Sequence, residues 1–241
     1  MAAVDLRDIG WAKKELGVRF EMRDLGNLTI FIRVQVSRDP IRRMLKISQE
    51  SYMSRVLENH GMGWCAAVTT PVEAEVRLLK SEEGFVSDPE NRKAYKSAVG
   101  SLMYAMLGGC PDISFVVGLV SHFCTDPNSE HWAALKPIFR YLAGTRGLVV
   151  LYGSEGRCAG YSDSWWAGAE DQKSTSEYIY LLNSRAISWA SRKQSVVPLS
   201  LTEAEYMALT LAVEEVLWLM TLFGEIGAPQ HANVTEVYWN G

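Results

Sequence analysis

Two carboxylates of this 241-residue chain are placed where they could bind a divalent cation. Asp163 lies in a predicted strand, and Glu205 lies in the first turns of the longest predicted helix. A helix that packs across a sheet can bring such a pair together, and Mg²⁺ prefers oxygen ligands. Two-ion hydrolysis of a phosphodiester needs about three to four carboxylates. The helix dipole alone also explains glutamates near a helix N-terminus, so the spacing leaves both interpretations open.

The densest basic segment contains five candidate contacts for nucleic acid: Arg33, Arg38, Arg42, Arg43 and Lys46. Such side chains can follow a phosphate backbone. The alternative is a solvated hairpin and helix face. The chain has a net charge of −4, and the acidic excess falls in residues 151–241. An acidic second half does not fit a phosphate clamp, and it fits a carboxylate-bearing, metal-using module better.

Other chemistry has little support in the sequence. The chain has no glycine-rich phosphate loop and no G-x-S-x-G elbow, and its four histidines are not at metal-binding spacing. No run of 18 apolar residues and no signal-like start occur, so we expect neither a membrane span nor secretion. Four well-separated cysteines predict reduced thiols in a cytoplasmic or nuclear protein: Cys65, Cys110, Cys124 and Cys158.

The elements that must position the basic segment begin with a β-hairpin. Alternation predicts a strand from Leu28 to Val36, a turn at Asp39-Pro40 and a returning strand from Arg43 to Ser48. Ser48 is the predicted cap of a helix that Gly61 ends. Three more helices are predicted, opened by Asp88-Pro89, by Pro111-Asp112 and by Ser129.

The elements that must position the carboxylates come after residue 150. Three strands are predicted at 159–163, 178–182 and 186–191, and Asn183-Ser184-Arg185 forms the turn between the second and third. Ser200 and Glu203 form a predicted capping box that opens a helix from Leu201 to Phe223. A fourth strand is predicted at 234–239.

Several ordered blocks resemble one family. YSDSWWAGAEDQKSTSEYIYLLNSRAISWASRKQSVVPLSLTEAEYMAL is similar to the ribonuclease H region of Pol polyproteins from copia-type LTR retrotransposons. DLGNLTIFIRVQV, ISQESYMSRVLENHGM, YKSAVGSLMYAMLGGCPDISFVVG and EHWAALKPIFRYLAGTRG are similar to reverse transcriptase segments after the polymerase catalytic strand. The resemblance covers residues 24–241.

The resemblance implies a mixed fold of the α+β or α/β class in two domains. Residues 1–150 would form a palm, thumb and connection-like region that is helical with an N-terminal β-hairpin. Residues 151–241 would form a truncated ribonuclease H-like mixed sheet with one long helix. The polymerase aspartates of the family would precede residue 1, so we expect no DNA synthesis from this chain.

The resemblance also assigns roles to single residues. Asp163, in the Y-x-D context, and Glu205, in T-E-A-E-Y, match the family's metal ligands. A third carboxylate belongs to a D-N-Q motif, and aligning Asn240 with its asparagine puts Trp239 at the acid position. A fourth acid would lie beyond Gly241. At most two of the usual four ligands are therefore expected, with weak or absent binding of Mg²⁺.

Further departures point the same way. The family's D-W-A-G-D reads W-W-A-G-A at 165–169, Glu177 and Arg33 each replace a usual glycine, and Cys110 replaces a usual arginine. We expect a non-catalytic product of a retroelement whose partner is an RNA–DNA hybrid, another nucleic acid, or a protein that covers the shortened sheet. The alternative is a weak Mg²⁺-dependent ribonuclease H that cleaves RNA in RNA–DNA hybrids.

Overall fold

A computed structural model describes residues 6–72, 78–82, 84–153, 158–166, 172–227 and 237–239. In this part of the chain there are six α-helices: α1 (Leu6–Arg19), α2 (Glu50–Asn59), α3 (Pro89–Gly109), α4 (Ser114–Ser121), α5 (Ser129–Thr145) and α6 (Leu201–Glu225). The strands are β1 (Ile30–Phe31), β2 (Val34–Asp39), β3 (Met44–Ser48), β4 (Val150–Tyr152), β5 (Cys158–Trp165), β6 (Thr175–Leu182), β7 (Arg185–Lys193) and β8 (Val237–Trp239). The mixed α+β class is thereby confirmed.

The first sheet is antiparallel, in the order β1-β2-β3-β4. The prediction of one strand from Leu28 to Val36 is wrong, because a turn at Ile32 and Arg33 divides it into β1 and β2. Both turn residues have positive φ, +46° and +59°, as a type I′ hairpin requires. Neither residue is a glycine or an asparagine, so no turn motif marks this position in the sequence. Arg33, in place of the family's glycine, occupies a conformation that glycine adopts without strain.

The helices of the first region begin close to their predicted caps. The Asp88 carboxylate accepts hydrogen bonds from the amides of Glu90 and Asn91, which confirms its role at the start of α3. Asn128 caps α5 in place of the predicted Ser129, because its side-chain oxygen accepts hydrogen bonds from the amides of Glu130 and His131. The helix predicted from Pro111 begins as a 3₁₀ turn, Pro111–Ile113, before α4. Helix α1 was not predicted.

The first hydrophobic core lies among α2, α3, α4 and α5. Leu57, Leu102, Ile113 and Ile138 are fully buried in it. The hydroxyl of buried Tyr95 donates to the carbonyl of Val120 at 2.9 Å. Strand β4 adds an edge to the first sheet, where Tyr152 pairs with Leu45. Residues 151–152, predicted to open the second domain, thus complete the first sheet.

The second sheet has the order β7-β6-β5-β8, with β5 antiparallel to β6 and parallel to β8. Asn183 and Ser184 both have positive φ and form the predicted tight turn, while Arg185 already belongs to β7. The Ser200 hydroxyl accepts a hydrogen bond from the amide of Glu203, as the predicted capping box requires. The Glu203 carboxylate, however, accepts a hydrogen bond from the amide of Leu199, one residue before Ser200. Of the predicted strand 234–239, residues 234–236 lie outside the described residues.

Helix α6 covers one face of the second sheet. The hydroxyl of Tyr180 donates to the carbonyl of Ala212 at 2.6 Å. A second hydrophobic cluster forms there, and it includes Cys158, Val216 and Leu219. By length and composition alone α6 could also cross a membrane, although it has no run of 18 uninterrupted apolar residues. Only 28% of its most apolar 18-residue window is buried.

Candidate catalytic and nucleic-acid-binding sites

The two faces of the second sheet are distinguished by residue number. Tyr178 and Tyr180 of β6 are buried beneath α6. The register pairs Ser162 with Tyr178 and Gly160 with Tyr180. Because paired residues share a face and successive residues alternate, the even-numbered residues of β5 and β6 face α6. The odd-numbered residues face away from it.

Asp163 therefore lies on the face of the sheet opposite α6. Its side chain is exposed, and one carboxylate oxygen accepts the amide of Ser164 at 2.8 Å. Glu177 is its direct cross-strand partner on the same face. Burial raises the pKa of Glu177, and the charge of Asp163 raises it further, while a hydrogen bond from Ser191 opposes both effects. Two carboxylates thus meet here, but the second is not the predicted one.

Glu205 lies on the buried side of α6 and is 4% exposed. The structure therefore places the predicted pair, Asp163 and Glu205, on different sides of the sheet. Around the first turns of α6 the sheet face is polar. Gln194 donates to the hydroxyl of Ser176 at 2.9 Å and to the carbonyl of Ala204 at 3.0 Å. The hydroxyls of Ser162 and Ser164, both buried, have no hydrogen-bond partner among the described residues.

A cavity of about 360 Å³ lies on the Asp163 side, between the second sheet and the start of α4. Asp112, Asp163 and Glu177 contribute carboxylates to its lining, and Phe115 and Trp189 contribute aromatic rings. Asp112 also accepts a hydrogen bond from the hydroxyl of Tyr141. Although oxygen ligands suit Mg²⁺, no three acidic, histidine or cysteine side chains in the described ranges are close enough to hold a metal ion. The described residues therefore do not fit the family's two-ion site.

All five predicted nucleic-acid contacts are exposed on the hairpin. Arg38 and Arg43 line one shallow cavity together with Tyr152. Arg42 lies 3.8 Å from the Asp39 carboxylate. Lys46 pairs with Ser37, so it lies on the face of the hairpin opposite Arg38, and Arg33 lies at the β1–β2 turn. The structure thus brings two of the five together and distributes the others around the hairpin.

Sequence reasoning missed Glu177 and Gln194 as neighbours of the predicted site. In the sequence, Glu177 stands out only as a replacement for a glycine that is usual in the family. The pairing of Asp163 with Glu177 depends on the register between β5 and β6, whose connection spans residues 166–174 and has no turn motif that fixes its length. Of the two positions at which a family acid is replaced, Trp165 ends β5, while Ala169 lies outside the described residues, as do Asn240 and Gly241.

Comparison with known proteins identifies the family. The chain is 40% identical over 223 residues to the retrovirus-related Pol polyprotein from transposon TNT 1-94 of Nicotiana tabacum; these cover 90% of the chain and 17% of that polyprotein. It is 33% identical to the uncharacterized mitochondrial protein AtMg00810 of Arabidopsis thaliana, covering 85% of the chain and 83% of that protein. The secreted RxLR effector protein 161 of Plasmopara viticola is 47% identical over 52% of the chain and 90% of the effector.

The chain belongs to the family of retrovirus-related Pol polyproteins from copia-type transposons. The predicted resemblance is confirmed. The chain spans less than a fifth of the tobacco polyprotein. No family model matches it, and no solved structure matches it.

Proposed function

We propose that this chain is a non-catalytic, Pol-derived protein that binds nucleic acid through its basic hairpin. In this proposal the described residues between 158 and 239 adopt a ribonuclease H-like arrangement without a working metal site. Strand order β7-β6-β5-β8, with the only described parallel pair between β5 and β8, supports that arrangement. The capped helix α6 between β7 and β8 supports it as well.

The observation that carries the proposal is the separation of Asp163 from Glu205 by the second sheet. A divalent ion needs its carboxylates within one coordination sphere, at about 2.0–2.1 Å for Mg²⁺. Asp163 lies on the face of the sheet that points away from α6. Glu205 belongs to α6, and its side chain is buried. Neighbouring Glu177 takes up a proton more readily than an ordinary glutamate, because burial raises its pKa.

The neighbouring strand supports the same conclusion. Strand β8 runs parallel to β5 and places Trp239 beside Ser162. Matching Asn240 to the asparagine of the family's D-N-Q motif puts a carboxylate at position 239, next to the aspartate strand. An indole cannot replace it, since Mg²⁺ binds oxygen ligands. The missing charge weakens ion binding further.

The hairpin supports a role in nucleic-acid binding. Arg38, Arg43 and Lys46 are exposed and form no ion pair with a described residue. Binding to phosphates by such cations is driven by release of counterions and falls steeply with salt. Positively charged groups on both faces of a thin hairpin suit contact with a backbone more than recognition of bases. RNA–DNA hybrid is the ligand that the family relationship favours.

Cleavage assays test the non-catalytic part of the proposal. The purified chain and its Asp163→Asn variant are incubated with a labelled RNA–DNA hybrid and Mg²⁺ or Mn²⁺. We expect equal, background-level cleavage from both proteins. Cleavage by the parent chain that Asp163→Asn abolishes would overturn the proposal and establish the alternative, a metal-dependent ribonuclease H.

Binding assays test the hairpin. Hybrid affinity is measured by fluorescence anisotropy at several salt concentrations for the parent chain, for Arg38→Ala with Arg43→Ala, and for Lys93→Ala, an exposed lysine on α3. Each lost phosphate contact should lower the slope of log affinity against log salt by about 1. The slope should therefore be lower for the double variant, and it should be unchanged for Lys93→Ala. Equal slopes for all three proteins would show that the hairpin does not bind the backbone.

The cellular compartment also belongs to the proposal. We propose that the chain acts inside the cell, in the cytoplasm or nucleus, as expected for Pol polyproteins. The names of two relatives refer to mitochondria and to secretion, and those words describe those proteins. Localisation of a tagged full chain tests this expectation.

A further inference from the structure

Helix α6 has two apolar stripes, and only one of them packs on the sheet. The buried stripe contains Ala204, Ala208, Ala212, Val216, Leu219 and Phe223. The second, which we call the outer stripe, contains Tyr206, Thr210, Val213, Leu217, Met220 and Gly224. Every member of the outer stripe is exposed; Leu217 is 59% exposed, and neighbouring Trp218 is 56% exposed. Contiguous exposed apolar patches mark interaction sites.

The spacing of the outer stripe indicates the shape of the partner. Its members alternate between steps of four and three residues over the helix, which is the spacing of positions a and d in a heptad. A seam with this period packs against another α-helix, since the facing helix inserts side chains at the same repeat. A strand or a flat surface does not match this period.

The charge of α6 indicates the chemistry of the partner. Five glutamates and no lysine, arginine or histidine occur between Leu201 and Glu225. Glu203, Glu214 and Glu225 are exposed, while Glu215 accepts a hydrogen bond from Ser188. A partner helix that carries basic residues beside its own apolar seam complements these acids, and complementary charges favour the correct partner over others.

The same charges disfavour two other occupants. If α6 of a second copy packed on this stripe, the only charged residues along the shared seam would be acidic, and like charges across an interface are unfavourable. Membrane-surface helices use lysine and arginine to bind anionic lipids, and α6 has neither. We therefore propose that the outer stripe is a docking surface for an amphipathic helix with basic flanks, supplied by another polypeptide. This proposal is independent of nucleic-acid binding.

Synthetic helices of defined pattern test the proposal. One labelled peptide of three heptads carries leucine at positions a and d and lysine at e and g, and its twin carries glutamate at e and g. Binding to the full chain is measured by anisotropy. We expect the lysine peptide to bind at least about tenfold more tightly than its twin. Equal binding of the two peptides would contradict the charge argument.

Variants then locate the binding surface. Leu217→Glu should weaken binding of the lysine peptide by about tenfold or more, as expected at the centre of an interface. The matched control, Ile41→Glu, makes the same change at a 95% exposed residue of the hairpin and should leave binding unchanged. Glu214→Lys should shift preference toward the glutamate peptide. Circular dichroism and thermal unfolding verify that each variant is folded, as its exposed position predicts.

Three outcomes would overturn the proposal. The first is unchanged binding of the lysine peptide to Leu217→Glu. The second is a dimer, seen by light scattering of the chain alone, that Leu217→Glu dissociates, because a second copy would then be the occupant. The third is binding to vesicles of mixed phosphatidylcholine and phosphatidylserine that Leu217→Glu abolishes, because a lipid surface would then be the occupant.

Discussion

The helical first region and the sheet-based second region bury their polar groups differently. In the first, buried His131 accepts the amide of Asn128 through Nδ1 and bonds the carbonyl of Leu79 through Nε2. Its one unpartnered buried polar atom among the described residues is Oε1 of Gln49. The second region has four buried polar atoms without a hydrogen-bond partner among the described residues, one in each of Ser162, Ser164, Trp189 and Gln194. Because each unsatisfied group costs about 1–3 kcal/mol, the second region should open more easily.

The difference extends to the hydrophobic cores. Four helices surround the first core, while the second lies between one sheet face and α6 alone. The start of the α6 interface is lined by serines and Gln194 in place of aliphatic side chains. A domain gains stability mainly from apolar burial, so the two regions should differ in stability even though the structure joins them.

The largest expected effect is in the first core. Leu102→Ala should lower the free energy of unfolding by about 2–5 kcal/mol, because it leaves a cavity at a fully buried position of α3. Urea unfolding measures the change. Leu107→Ala, on the same helix at 67% exposure, is the matched control and should change stability by less than about 0.5 kcal/mol. Similar losses from the two variants would contradict the assigned core.

The second prediction concerns the close packing of β5 on β6. A Cβ atom at Gly160 would lie 2.3 Å from the ring of Tyr180. Gly160→Ala should therefore destabilise the second region by about 1–3 kcal/mol. Hydrogen exchange read by mass spectrometry should show faster exchange in β5 and β6 but not in α3.

Gly100→Ala is the control for that substitution. Gly100 lies within α3, and a Cβ there would meet nothing within 4 Å. Alanine should stabilise the helix by about 0.5–1 kcal/mol. If Gly160→Ala and Gly100→Ala changed stability in the same direction, close contact between position 160 and Tyr180 would not explain the effect of Gly160→Ala.

The third prediction concerns the β1–β2 turn. Arg33→Gly should stabilise the first sheet by about 1 kcal/mol, because glycine adopts φ near +59° without the cost that arginine bears. Arg38→Gly, in the middle of β2, should destabilise by about 0.5–1 kcal/mol. Thermal unfolding compares the two variants, and a loss of stability in Arg33→Gly would argue against the type I′ turn.

The smallest effect is kinetic and compares one thiol from each region. Burial raises the pKa of Cys110 to about 12 and also raises the pKa of Cys158. Cys158 is buried and Cys110 is partly buried, and a raised pKa leaves little reactive thiolate, so opening of each region should speed alkylation. If the second region opens more easily, iodoacetamide should modify Cys158 before Cys110, as mass spectrometry can follow. Faster modification of Cys110 would reverse the order of stability proposed above.

Features determined by local chemistry could be predicted from the sequence. Asp88 before Pro89, Ser200 before Glu203, and Asn183-Ser184 between strands each act within a few residues, and each lies where expected. The turn at Ile32-Arg33 could not be predicted, because pairing of the flanking strands imposes a conformation that these residues disfavour.

The site was harder to predict than its residues. Asp163 and Glu205 were identified, but the face that each occupies depends on register and on how α6 crosses the sheet. A shift of one residue in β5 would place Asp163 beneath α6. Glu177 became part of the site only through its pairing with Asp163, which no short sequence motif encodes.

Strand β4 has a consequence for synthesis of the chain. Its residues, Val150–Tyr152, pair with β3 about a hundred positions earlier, and the Tyr152 hydroxyl then reaches the carbonyl of Ala186. As the chain leaves the ribosome, the edge of β3 stays open until the whole helical segment has emerged. Such long-range closure is slow to form. The nascent hairpin is therefore exposed to chaperones, or to strands of other chains, throughout that interval.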